Sequence, residues 1–325
     1  MADRKLGVVL LNMGGPDSLD DVPAYLRNIF RDPFILDMPF GPLVRPWLSR
    51  LIVRRRAAAS ADRYRLIGGR TPLTAIARKQ AEAIAAALAQ RGVAAVAVPG
   101  MRYWHPFAQE AVARLAEEGV YRIVALSMYP AYCRATSGSS FADFERAVQS
   151  GLPGVPVSRI EDWPALPAYI DFLARGVVAA RDSIAPEHRP RTAVLFSAHS
   201  VPVRLIAQGD PYRGHIERSF RLVCERLPAE LRTALAWQSA AGPGKWLEPD
   251  SKSLALLLRQ EGFEHLVVVP LGFVAENIET LWDIEIDLRS FALEQGFKSF
   301  VRVACPNDDA SAMGGLAELI TAKTG

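Results

Sequence analysis

The sequence predicts an α/β protein built as two doubly wound halves with a ligand cleft between them. Apolar runs of strand length alternate with helical patterns along the 325-residue chain. The alternation occurs twice, and the loop-like stretch Gly151 to Pro156 separates the two runs. The strand-like runs also end in polar or aromatic residues, at the carboxyl edge where open α/β sheets collect their ligands.

The elements follow in order. Gly7 to Asn12 reads as a strand, and Met13-Gly14-Gly15-Pro16 as a sharp turn, with Ser18 placed to cap a helix through Arg31. The turn lacks the GxGxxG spacing of a dinucleotide site, although a phosphate-binding reading stays open. Residues 33–53 are apolar but broken by prolines, which predicts something other than one regular helix. They fit core packing, or an apolar flap whose basic edge, Arg54-Arg55-Arg56, meets an anionic surface. A helix from about Thr74 to Arg91 and a strand from Val93 to Gly100 come next. A helix to about Glu118, a strand from Arg122 to Met128 and a helix near Phe141 to Gln149 complete the first half. In the second half, a helix covers about Pro167 to Ala185. The strand ending at His199 and a helix to about Leu227 follow. A strand from Thr233 to Gln238, a helix from Ser251 to Gln260 and a strand from His265 to Pro270 come after. A short strand near Ser299 and a helix from about Ala310 to Ala322 end the chain.

Composition narrows the function. Half of the residues are hydrophobic, enough for a large core, and the net charge is only +3. With no basic block carrying interleaved aromatics, a nucleic-acid partner is not expected. Cys133, Cys224 and Cys305 lie far apart, with no CxxC, so neither a disulfide framework nor a zinc or iron–sulfur site is expected. No run approaches the roughly 18 apolar residues of a membrane span. A cytoplasmic protein, soluble or peripheral to a membrane, is the expectation.

Two stretches carry candidate chemistry. Ala193 to Ser197 reads as a strand buried on both faces, and it stops at Ala198-His199-Ser200 before Pro202. A neutral imidazole at such a strand end can take a proton or bind a metal, though it can equally be a satisfied turn histidine. Glu279, Asp283 and Asp287 recur at steps of four on one helical face, with Glu276 three residues ahead. Basic residues do not alternate with them, as they would on a solvated face. The row therefore suggests raised pKa values, a cation path or a proton path.

Several motifs together resemble one family. They are LLNMGGPDS at 10–18, YRLIGGRTPL at 64–73, MRYWHPF at 101–107 and YPAYCRATSGSS at 129–140. In the second half they are FSAHSVP at 196–202, GDPY at 209–212, AWQSAAGPGKWLEP at 236–249 and GFVAENIETL at 272–281. With these motifs the chain resembles ferrochelatase. The resemblance implies a chelatase-like fold of two Rossmann-like halves, 1–155 and 156–325, each with a parallel four-stranded sheet. It implies insertion of ferrous iron into protoporphyrin IX, or coproporphyrin III as the alternative. Fe²⁺ would be a substrate, with no tightly bound cofactor and no iron–sulfur cluster.

The resemblance also implies roles for residues. His199 and Glu279 match the catalytic pair, with Asp283 and Asp287 as further metal or proton-path ligands on a helix the family often builds as a π-helix. Met13 would face the porphyrin opposite His199, with Arg102 and Tyr103 on the Met13 side as a pair that handles metal. Arg56 and Thr71 match propionate contacts, and residues 33–53 match the apolar lip that meets the membrane. Asn277 departs from the histidine common at its position, and Arg70 from a glycine. The chemistry suits these types. Both pyrrole protons of a free-base porphyrin must leave, which needs a base of near-neutral pKa with a carboxylate beside it. The ring must also distort, and walls such as Met13, Tyr103, Trp237 and Trp246 are candidates to impose that at about 1–5 kcal/mol. A chelatase for another tetrapyrrole and a non-enzymatic haem binder are the rival readings.

Overall fold

The computed structural model describes residues 5–36, 41–242 and 244–324. Met38 and Phe40 of the expected lip lie outside the described residues. The chain forms two compact units, residues 1–162 with 307–325, and residues 163–306.

In the first unit, β1 (Leu6–Asn12) leads to α1 (Val22–Arg31), α2 (Gly41–Leu66), α3 (Leu73–Gln90) and β2 (Ala95–Met101). Then come α4 (Ala108–Glu117), β3 (Arg122–Ser127), a π-turn (Arg134–Gly138), α5 (Ser139–Gly151) and β4 (Val157–Ile160). The four strands are parallel in the order β2-β1-β3-β4. All seven residues of β1 are buried, as a strand covered by helices on both faces requires.

The second unit repeats the plan. It contains α6 (Pro167–Asp182), β5 (Thr192–His199), α7 (Val203–Ala207), α8 (Tyr212–Cys224), β6 (Arg232–Gln238), α9 (Ser251–Gln260) and β7 (His265–Pro270). A π-helix (Glu279–Leu288), α10 (Arg289–Glu294) and β8 (Ser299–Arg302) follow. Its strand order, β6-β5-β7-β8, matches that of the first unit position for position.

Beside short elements not expected above, such as strand β4, the structure departs from the expected elements in three places. The prolines do not break the segment after residue 41, since α2 runs for 26 residues with Pro46 inside it. Pro42 sits in the first turn, where its missing N–H costs nothing, and Pro46 forgoes one backbone bond. The Ser49 hydroxyl donates to the Pro46 carbonyl one turn below. Ser18 does not cap α1, because its hydroxyl donates to Asp21 at 2.8 Å, and the helix starts at Val22.

The third difference concerns the last helix, α11 (Ala310–Thr324), which groups with the first unit and not with the half that precedes it. Arg91 at the end of α3 bonds the Gly314 carbonyl and Glu318, and Arg122 on β3 bonds the Thr324 carbonyl. The unit boundary falls at Asp162, seven residues beyond the one read from the sequence. Strand β4, only four residues long, occupies that interval.

Candidate functional site

Strand β5 is flanked by β6 and β7, so the strand order reverses at its carboxyl end. His199 is the last residue of β5, paired in register with Gln238 of β6. Unlike the seven buried residues before it, His199 is partly exposed. Its Nδ1 lies 2.7 Å from the Ser200 carbonyl oxygen, which can only accept. In the neutral ring that fixes the N–H on Nδ1 and leaves the Nε2 lone pair available. The Tyr212 hydroxyl donates to the His199 carbonyl at 2.9 Å, which holds the strand end in place.

Glu279 opens the π-helix. Thr280, Ile284 and Leu288 turn inward, and Ile284 and Leu288 join the core formed with Leu195, Val268 and Phe300. Each acid at 279, 283 and 287 lies one residue before an inward one, so the acids keep to one side of the helix. Gln238 joins strand and helix, with Nε2 donating to the Glu279 carbonyl at 3.2 Å and Oε1 accepting from the Ser197 hydroxyl. Glu279 keeps some exposed surface, but its carboxyl is enclosed by protein. Desolvation pushes its pKa up and the Asp283 charge adds to this, while the nearby His199 pulls it down. His199 is thus close enough to act on the charge of Glu279.

Neighbours of the acidic row were not legible in the sequence. Asp283 accepts a hydrogen bond from the Ser239 hydroxyl, and Ser239 itself holds a left-handed φ of 63°. Asp287 does not stand without a counter-charge, because Lys252 Nζ from α9 lies 2.8 Å away. Glu276 points away from the row. Both of its oxygens bind Arg302, at 2.8 and 3.0 Å, and Arg302 also bonds Glu285. Burial would lower the Arg302 pKa, but the hydrogen bonds and charge of Glu276 outweigh it and raise it. Among the described residues, no three His, Cys, Asp or Glu side chains group closely enough to hold a metal ion. Glu279, Asp283 and Asp287 follow one another along the π-helix, with His199 at the end of β5.

Asn277 has a structural role of its own. Its Oδ1 accepts from the Thr280 N–H at 3.0 Å, while the Thr280 hydroxyl oxygen accepts from the Asn277 N–H at 3.1 Å. This reciprocal pair has the form of a capping box at the helix start.

The other residues expected to touch substrate divide between the units. In the second unit, Trp237 is buried and tilted against Tyr212. Trp246 is half-buried, and its indole N–H finds no acceptor among the described residues. In the first unit, Met13 follows β1 and is partly exposed, its N–H bonded to Asn12 Oδ1 at 2.9 Å. Arg56 is exposed on α2, 5.8 Å from the Phe30 ring centre. Thr71 is buried against Gly15, where any Cβ would fall within 2.8 Å of its side chain, so the Gly-Gly-Pro turn is already filled.

Tyr103, expected as a pocket wall, is 1 % exposed, and its hydroxyl donates to Asp32 at 2.7 Å. Burial, then the Asp32 charge, hold its pKa well above the usual phenol value. Arg102 is tied into the same group. Its guanidinium lies 2.9 Å from Asp32 and donates to Ser139 at 2.7 Å. The pair therefore rests on Asp32, whose side chain is fully buried and which sequence reading passed over.

The exposed start of α2 carries large apolar side chains, Leu43 at 83 % and Trp47 at 64 % exposure. Among the described residues, no helix is long and apolar enough to cross a membrane.

Known proteins share both the fold and the sequence. The SirB protein of Bacillus subtilis, solved with Fe³⁺, superposes with a TM-score of 0.56 at 10 % identity, over 98 % of this chain and 95 % of that one. A Cyanothece ferrochelatase is 39 % identical over 97 % of this chain and 82 % of its own length. The Gloeobacter violaceus ferrochelatase is 38 % identical over 99 % of this chain and 98 % of its own. The family model described as Ferrochelatase matches residues 5–324, and the chain belongs to the ferrochelatase family of metal chelatases.

Proposed function

We propose that the chain inserts Fe²⁺ into protoporphyrin IX to form protohaem, the terminal step of haem biosynthesis. The reading rests most on one arrangement, His199 at the carboxyl end of β5 and Glu279 at the start of the π-helix, within range for their charges to interact. Each of the two pyrrole nitrogens gives up a proton as an N–metal bond replaces its N–H bond. Nε2 of His199 takes a proton, with Nδ1–H held by the Ser200 carbonyl. Glu279 lies beside the imidazolium this creates and stabilises it. Because its pKa is raised, Glu279 also accepts a proton more readily than an ordinary carboxylate. Asp283 and Asp287 continue outward and offer successive stations for a proton or the incoming cation. The Lys252 partner of Asp287 would swing aside or compete with that cation.

Met13, Arg56, Thr71, Trp237 and Trp246 are proposed as substrate contacts, with Arg102 presented by Asp32. Tyr103 is proposed to support Arg102 through their shared partner Asp32. Residues 33–53 are proposed to touch a membrane surface, on the strength of the exposed Leu43 and Trp47. Coproporphyrin III is the alternative substrate. The branch using it usually has tyrosine where this chain has Met13, so protoporphyrin IX is favoured. Anaerobic turnover assays with each porphyrin should show a clear preference for protoporphyrin IX, and equal turnover would remove that assignment.

Nitrogen ligands in general bind Co²⁺ and Zn²⁺ more tightly than Fe²⁺, so both should be inserted in vitro. Finding neither incorporated by absorbance in anaerobic assays would contradict the proposed metal insertion.

Asp283→Asn should move the pH profile. Glu279 must be ionised to accept a proton, so activity falls as pH drops through its raised pKa. Removing the neighbouring negative charge lowers that pKa, and the acidic limb of kcat should shift to lower pH. A limb that stays in place or moves upward would exclude Glu279 as the group seen in the profile.

A further inference from the structure

A cavity of about 830 Å³ lies within the first unit, where the end of α2, the first turns of α3 and the loop entering α11 meet. Its volume falls in the range of small-molecule sites. Helix α3, 18 residues long, points its amino end into it, and Pro72 at the N-cap provides no side-chain cap. The hydroxyl of Thr71 takes the Leu73 N–H, and the Ile76 N–H bonds Pro72. The N–H groups of Thr74 and Ala75 are left without an acceptor among the described residues. The amino end of a helix carries partial positive charge and favours anions.

A second observation is independent of the helix. Thr74 lines the cavity, is only 7 % exposed, and its hydroxyl has no hydrogen-bond partner among the described residues. Leaving a buried hydroxyl unbonded costs about 1–3 kcal/mol, so a ligand that bonds it recovers that cost. The walls also carry Arg70, Arg78 and Lys79, none of them in an ion pair among the described residues. Two carboxylates, Asp17 and Asp308, face them. Asp17 already accepts the Trp104 indole N–H at 3.0 Å.

We propose that this cavity binds the phosphate of a small soluble phosphomonoester, or free phosphate itself. The oxyanion would take the open amides of α3 and the Thr74 hydroxyl, with Arg70, Arg78 and Lys79 matching its charge. The volume beyond the phosphate leaves room for an organic group. A lipid headgroup is a poorer match, because α2, at about 39 Å for its 26 residues, separates the cavity from the exposed Leu43 and Trp47. Thr71 forms one wall, but the site does not depend on the proposed porphyrin chemistry.

Calorimetric titration of the intact protein with inorganic phosphate, and separately with adenosine monophosphate, tests the proposal, with chloride at matched ionic strength as the control. Saturable binding of phosphate alone identifies the free ion as the source, and binding of the nucleotide at least about tenfold tighter identifies a phosphomonoester. Arg78→Ala and Lys79→Ala should each weaken binding about tenfold while leaving metal insertion unchanged. Thr74→Val should weaken binding several-fold without lowering Tm in the absence of phosphate. Asp308→Asn should act in the opposite direction and tighten binding. No saturable binding by about 10 mM of either probe, a range that corresponds to negligible affinity, would overturn the proposal. Equal affinity in all four variants, or weaker binding in Asp308→Asn, would overturn it as well.

Discussion

His199→Ala should lower the rate of metal insertion by about 10²–10⁴-fold, the usual contribution of a positioned acid–base group, and leave the fold intact. The ring is partly exposed at a strand end, and its one side-chain hydrogen bond goes to the carbonyl of the next residue. Its removal deprives the carbonyl of the buried Ser200 of this donor, at a cost of about 1–3 kcal/mol, so Tm should fall modestly while the fold is kept. Glu279→Gln should lose less than His199→Ala, since the amide keeps the shape but neither accepts a proton nor steadies an imidazolium. The double variant should be little worse than the worse single one, because groups acting as a unit are strongly non-additive. Stopped-flow zinc insertion into protoporphyrin, followed by fluorescence, measures all three. Rates within a few-fold of the parent in both single variants would remove the pair from the chemistry.

Asp32→Ala should produce the largest loss of stability, about 3–5 kcal/mol for breaking a buried ion pair by removing one partner. The carboxylate has no exposed surface and holds Arg102, the Tyr103 and Ser139 hydroxyls and the Phe34 N–H. Its loss leaves the mostly buried Arg102 guanidinium with only the longer Asp143 contact at 3.7 Å and the Ser139 hydroxyl, and removes the acceptor of the Tyr103 hydroxyl. For a unit of this size the loss corresponds to a fall in Tm of roughly 6–20 °C. Asp32→Asn should be milder, since the amide oxygen still accepts although the charge is gone. Calorimetry on the three proteins decides the matter, and a fall below about 2 °C in the alanine variant would mean the network is not holding the unit together.

The central strands were legible because strands buried on both faces must be continuously apolar. The runs Gly7 to Asn12, Ala193 to Ser197 and His265 to Pro270 announce themselves. His199 was legible for the same reason, as the polar stop to such a run. Strand β4 was missed because four residues, Val157–Ile160, carry too little periodicity. Helix α2 was misread because proline's cost depends on whether it falls in the first turns, which a sequence does not mark.

The charge pattern misled in a different way. Local spacing showed Asp287 and Glu276 without partners, yet Lys252 lies 35 residues before the one and Arg302 26 residues after the other. Tertiary pairing of this kind leaves no trace in a helical repeat. Arg102 and Tyr103 were read as surface chemistry for the same reason, since nothing in their motif reveals that Asp32 lies beneath them.

The return of Ala310–Thr324 to the first unit makes the second unit an insertion within it. During synthesis, residues 163–306 can finish folding as soon as they emerge. The earlier-made lobe must wait for the final helix to leave the ribosome before its α3 face is covered. Premature termination anywhere after residue 306 would then leave a well-folded later lobe attached to an unfinished earlier one.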